Sequence, residues 1–197
     1  MAKTIMYAVV SADGYIARPD GDIGPLFDWF GSGDVAWDWN GAELRTAQAS
    51  KDFISAVYSD IGAMVVGRFV FDQTNGWDGQ AVAGDHVFVV THEAPKSWEF
   101  TDTAPFTFVT DGVESAIAQA REVAGNRIVD VAAGDVGGQA LRLGLIDQVV
   151  MNVVPVVFGE GRPFFGSAAG EVTLANPALV AQGDRVTHLL YDVPTQS

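Results

Sequence analysis

The sequence predicts an α/β fold: a mostly parallel central sheet, helices on its faces and antiparallel strands at the C-terminal end. Three observations carry this expectation. Short apolar, β-branched runs alternate with stretches of helical apolar spacing. Several of those runs end in polar or glycine-containing turns, at 11–14, 67–68, 91–92 and 134–138. Such turns sit where open α/β sheets bind ligands. Finally, 172–175 and 186–191 alternate apolar with polar residues, as an antiparallel edge pair does.

Each element follows in order. Residues 3–10 form an apolar strand closed by the turn Ser11-Ala12-Asp13-Gly14. Residues 15–40 read as a long loop rich in Gly, Asp and Trp, with Trp29, Trp37 and Trp39. Its aromatic content argues against disorder. It suits a lid over a flat ring, and equally an aromatic mini-core or a dimer contact. A helix is expected over 41–60, with Ala47, Phe53, Ile54 and Val57 on one face. Residues 63–66 are a fully apolar strand leading into Gly67-Arg68, and Val70 and Phe71 anchor a helical turn before Asn75-Gly76. A strand at 86–90 ends in Thr91-His92, and another follows at 106–109. The helical spacing of Val113, Ala116, Ile117, Ala120 and Val123 predicts a helix over 113–124. Ile128, Val129 and Val131 begin a buried strand; Gly134, Gly137 and Gly138 follow, then a short helix with Leu141 and Leu145. That turn directs backbone N–H groups at an anion such as a pyrophosphate. The G-x-G-x-x-G expected after the first strand of a Rossmann dinucleotide site is missing. No repeat or linker divides the 197 residues, so one domain, 1–197, is expected.

Composition excludes whole classes. The chain has no cysteine, which removes thiolate catalysis, disulfides and Cys-type zinc sites, and no metal is expected. A net charge of −14 with no basic run disfavours nucleic acid and anionic membranes as partners. An anionic ligand would then depend on a few arginines, Arg68, Arg127 and Arg162 foremost. No stretch approaches a membrane span, and the N-terminus has no signal-peptide pattern, so a cytoplasmic protein is expected.

Residues 127–166 carry a more specific pattern: Ala132-Ala133-Gly134, Gly144-Leu145-Ile146-Asp147-Gln148, Val153-Val154-Pro155 and Gly159-Glu160-Gly161, in that order. This resembles the C-terminal reductase domain of bacterial riboflavin biosynthesis, which has the three-layer dihydrofolate reductase-like fold. Toward the N-terminus, Ser11-Ala12-Asp13-Gly14-Tyr15-Ile16-Ala17 looks like the family's S-x-D-G-x-x-A signature, and Val66-Gly67-Arg68 like the G-R of dihydrofolate reductases. The resemblance therefore covers most of the chain. It implies NADPH as cofactor, with Ala17 near the nicotinamide and Gly67 and Arg68 at the adenosine 2′-phosphate. Thr91 and His92 would make a second adenosine-phosphate contact. Gly134, Asp135, Val136, Gly137 and Gly138 would hold the pyrophosphate. A guanidinium suits a phosphate by charge and fork geometry.

The departures bear on the substrate. Val131 stands where the riboflavin reductases carry a substrate-holding glutamate, and Asp130 beside it faces the opposite side of its strand. Gln148 and Val70 replace an expected Glu and Thr. The resemblance implies hydride transfer to a small heterocyclic or ribosylaminouracil-type substrate. Asp13 is the first candidate for the catalytic proton donor; Asp38, Glu43 and a bound water are alternatives. A pterin or dihydrofolate reductase and a non-catalytic NADP-binding protein are the competing readings. Gly137→Val is expected to abolish cofactor binding and spare the fold. The apolar run 149–158, with Phe164 and Phe165, points to a homodimer formed through the C-terminal strands.

Overall fold

A computed structural model describes residues 2–39 and 41–194. Its centre is an eight-stranded sheet. In chain order the strands are β1 (Thr4–Ser11), β2 (Tyr15–Ala17), β3 (Val35–Trp39), β4 (Ala42–Thr46), β5 (Ile61–Gly67), β6 (Val87–Val90), β7 (Phe106–Val109), β8 (Ile128–Ala132), β9 (Gln148–Val154), β10 (Arg162–Pro163), β11 (Leu179–Gly183) and β12 (Val186–Asp192). The helices are α1 (Gln48–Tyr58), α2 (Arg68–Gly79), α3 (Val113–Ala124) and α4 (Asp135–Arg142). The sheet order is β11-β12-β9-β1-β8-β5-β6-β7. The run from β9 to β7 is parallel, and β12 and β11 close the other edge as an antiparallel pair. This is the expected α/β architecture.

The period of two along each strand divides the interior into two layers. Met6 and Val10 of β1 and Val129 and Val131 of β8 pack under α3 and α4. Ile5 and Val9, with Val66, Val150 and Val154, pack under α1, α2 and a short 3-10 helix at Gly24–Gly31. Helices on both faces make the three layers. Among the described residues no helix is long and apolar enough to cross a membrane.

Three expectations are corrected. The long loop is structured: β2, the 3-10 helix and β3 occupy most of it, and Asn40, its last residue, lies outside the described residues. Trp29 is buried in the core, and Trp37 and Trp39 stand on the β3–β4 hairpin. The aromatic residues therefore pack within the chain. The helix expected over 41–60 begins only at Gln48, because residues 42–46 pair with β3 instead. Residues 172–175 form no strand; β12 takes β11 as its partner. Alternation alone could not tell a strand from a loop whose apolar side chains rest on the core, as Val172 and Leu174 do.

Candidate functional site: a cleft at the strand ends and an aromatic cavity behind it

Parallel strands bring their C-terminal ends to one edge, and each βα turn there opens a helix toward solvent. The ends of β5 and β8 flank a cleft of about 180 Å³ lined by Gly67, Phe69, Val70, Gly134, Asp135 and Val136, with Ile16 and Arg162 from the β2–β10 pair. Gly67 caps α2 and Gly134 caps α4 at φ +95°, a conformation that favours glycine. Two helix N-termini thus face one small space, and both favour negative charge. Gly134 itself donates its N–H to Phe164 O at 2.7 Å, so that donor is committed.

Arg162 supplies the cation. Its guanidinium lies 3.2 Å from the centre of the Phe69 ring, and its Nε is buried without a hydrogen-bond partner. A buried donor left open at the wall of a cleft invites an acceptor from outside the chain. Arg127, by contrast, pairs with Asp85 and lies away from the cleft lining.

Arg68 and Thr91 meet at the neighbouring strand ends. Arg68 donates from Nε to Asp72 Oδ1 at 2.8 Å and from Nη1 to the Glu93 carbonyl at 2.9 Å. Thr91 Oγ1 donates to the same carbonyl at 2.8 Å. Neither they nor His92, which is exposed, lines the cleft proper. Ala17 is buried in β2 and pairs with Arg162.

Gly137 and Gly138 face inward. A Cβ on Gly137 would lie 2.8 Å from Ala132 O and 2.9 Å from Met6 Cε, and one on Gly138 would collide with Phe165 O. Gly137 lets α4 approach β8 and Gly138 lets it approach the backbone at Phe165, and the expectation that Gly137→Val spares the fold is withdrawn.

Asp13 is likewise engaged structurally. It accepts from Ser11 Oγ at 2.6 Å, from Gly159 N at 2.7 Å and from Phe158 N at 3.1 Å, tying the first turn to the loop after β9. The Ser11 hydroxyl and then the two backbone amides hold its carboxyl below the usual range. Such a group carries no proton to give at neutral pH, and the donor role is not supported. Asp38 and Glu43 face each other across the exposed β3–β4 hairpin, away from the cleft. Among the described residues no cluster of His, Cys, Asp and Glu could hold a metal.

The sequence reading passed over a second space, on the α1–α2 face of the sheet. It measures about 680 Å³ and shares no lining residue with the cleft. Asp130 stands in its wall with Tyr7 and Tyr58. The carboxyl faces this side, as the strand parity predicts. Asp130 is 4% exposed, and burial pushes it up to about 7. A polar chain lies beside it. His188 Nδ1 is 2.7 Å from Asn152 Oδ1, its Nε2 is 2.8 Å from Ser50 Oγ, and Asn152 Nδ2 donates to Tyr7 Oη at 3.3 Å. An amide oxygen only accepts, so Nδ1 carries the proton and Nε2 accepts from Ser50. Tyr7 accepts from Asn152 and keeps its own proton to donate. Burial lowers His188 to about 4, so it is neutral at physiological pH. The run of Ser, His and Asn is no nucleophilic centre: Ser50 and His188 are both fully buried.

A family model for the RibD C-terminal domain matches residues 2–186. The chain belongs to that family. Known relatives of this RibD-type domain include the Bacillus subtilis protein YwjB, itself uncharacterized, 26% identical over 172 residues and 87% of each chain. A Shewanella sp. PV-4 protein, provisionally described as a riboflavin biosynthesis protein, superposes with TM-score 0.66 at 21% identity, covering 98% of this chain and 99% of that one. The Thermotoga maritima deaminase/5-amino-6-(5-phosphoribosylamino)uracil reductase superposes with TM-score 0.62 at 14% identity, and this chain covers 57% of its length. Dihydrofolate reductase from Enterococcus faecalis, complexed with NADP(H), gives TM-score 0.56 at 15% identity over 98% of this chain and 96% of that one. The fold is thus dihydrofolate reductase-like, and the RibD-type reductase family supports a reductase-like role.

Proposed function

We propose that this RibD-type domain is an NADPH-dependent reductase acting on a small heterocyclic substrate of the ribosylaminouracil type. The observation that carries the reading is the cleft itself, where two helix N-termini and the open Arg162 Nε face one space within a reductase family fold. These groups fit a pyrophosphate by charge and by donor type. The N-terminal backbone of α4 at Asp135 and Val136, with Arg162, would hold it, and Arg68 with Thr91 would meet the 2′-phosphate at the neighbouring strand ends.

NADPH supplies the hydride; the chain's part is to orient the rings and exclude water. Ile16 and Val70 give the cleft apolar walls suited to that task. The relatives support cofactor and reaction class: one is described as a uracil-derivative reductase, and another holds NADP(H). A cytoplasmic location and a homodimer accompany this reading.

The test is direct. NADPH and NADH are titrated by calorimetry, and NADPH oxidation is followed with 5-amino-6-(5-phosphoribosylamino)uracil and with dihydrofolate. Binding and turnover with the first substrate support the proposal. Turnover with dihydrofolate alone selects the folate reading, and tight binding without turnover selects a non-catalytic NADP-binding protein. No dinucleotide binding at millimolar concentration removes them all.

A further inference from the structure

We propose that Asp72 sets the preference between NADPH and NADH, by holding as an internal competitor the side of Arg68 that a 2′-phosphate would take. The inference rests on the reductase reading and adds to it a residue that is not itself a phosphate contact. A guanidinium offers two forks, Nε with Nη2 and Nη1 with Nη2, and a phosphate is held best by both members of one fork. In Arg68 neither fork is free. Asp72 Oδ1 accepts from Nε at 2.8 Å, and the Glu93 carbonyl accepts from Nη1 at 2.9 Å. A phosphate that binds through a whole fork has to displace one of them.

The surroundings decide which. The Glu93 carbonyl also accepts from Thr91 Oγ1 at 2.8 Å, and the Glu93 N–H donates to that hydroxyl at 3.4 Å. Both lone pairs of the carbonyl are in use within a closed turn, and moving it breaks several bonds together. Asp72 has only a side chain to swing. Its pair with Arg68 is open to solvent, with side-chain exposures of 50% for Asp72 and 38% for Arg68. The pair does little for the helix. Arg68 is the first residue of α2, where the macrodipole disfavours a cation, and a cation four residues before an anion is the weaker order for a helical pair. A guanidinium held against the dipole at a strand end is suited to an anion from outside the chain, and Asp72 takes that place in the empty protein. An acid there repels a 2′-phosphate and accepts from a free 2′-hydroxyl, so Asp72 lowers the affinity for NADPH and not for NADH.

The experiment titrates NADPH, NADH, adenosine 2′,5′-bisphosphate and adenosine 5′-phosphate into the full chain by calorimetry, with Asp72→Asn and Asp72→Glu beside the wild type. Asp72→Asn should raise the ratio of NADPH to NADH affinity about two- to fivefold, the scale of an exposed ion pair, and shift the two adenosine probes alike. The gain should shrink at high salt. Asp72→Glu keeps the charge and the reach to Nε and should return the ratio to that of the wild type. Thermal melting checks that both variants fold. The inference alone is overturned if dinucleotides bind but Asp72→Asn alters both affinities equally or neither, or if Asp72→Glu behaves as Asp72→Asn does. If no dinucleotide binds the wild-type chain, the reductase reading and the inference fall together.

Discussion

Asp130 is held at a cost. Its folded pKa of about 7 against an ordinary 3.8 is worth roughly 4 kcal/mol at most. Because the folded value is raised, the penalty is absent below pH 3.8 and grows until the carboxyl ionises in the fold near pH 7. Asp130→Asn should therefore be neutral near pH 3 and increasingly stabilising up to pH 7, by about 2–4 kcal/mol, as read by urea unfolding across that range. An equal effect at both ends would show that the carboxyl is not desolvated. His188 works with the opposite sign. Its folded pKa lies below the unfolded value of 6.5, so its contribution is complete above 6.5 and fades as pH falls toward 4. His188→Ala removes the partner of Asn152 Oδ1 and of Ser50 Oγ in the core and should cost roughly 2–5 kcal/mol at pH 7 by the same measurement. At the strand ends, Arg68→Ala should weaken NADPH more than NADH, by roughly 1.5–3 kcal/mol in calorimetric titration. Equal losses for both would remove Arg68 from the 2′-phosphate.

At the scale of elements, α4 shows how packing and binding share one turn. Its first residues face the cleft while Gly137 and Gly138 press against β8 and Phe165. A side chain at Gly137 meets backbone that cannot swing aside, so Gly137→Val should destabilise the protein by on the order of 1–3 kcal/mol or more. Thermal unfolding checks this, and an unchanged melting point would show that α4 can shift. The Asp13 staple is the second case. It joins the β1–β2 turn to the loop after β9, next to the strand pair that forms one wall of the cleft. Asp13→Ala should loosen that wall without removing a proton donor. The expected result is weaker NADPH binding with an unchanged pH profile of turnover, and a shifted pH profile would return Asp13 to the chemistry.

For the whole molecule, the open question is the sheet edge. β11 ends the sheet, with Val180 55% exposed and Leu179 beside it, and Val157 is 73% exposed in the loop after β9. An unpaired apolar edge is a site for a second copy to cover. Phe164, expected to serve that contact, is instead buried in the monomer core. The proposed homodimer therefore rests on β11 and Val157. Light scattering at micromolar concentration should give twice the chain mass, and Val180→Lys should shift it toward a single chain. A single-chain mass that persists as concentration rises would remove the dimer.

The sequence by itself determined the order of strands and helices and the positions of the turns at their ends. The apolar spacing of residues 113–124 predicts α3 to the residue, and Gly67 and Gly134 stand at strand ends as expected. These features are local: periodicity records which side of each element meets the core. Strand parity alone also showed that Asp130 faces away from Val131's side. Only the tertiary structure decided what Asp130 meets there, which glycines serve packing, and that Asp13 is a staple. Those outcomes depend on partners far apart in the chain, with a sequence separation of 146 for Asp13 and Gly159 and of 138 for Ser50 and His188. A cavity has no sequence signature at all, because its walls come from separate elements and its function comes from the groups they leave unpaired.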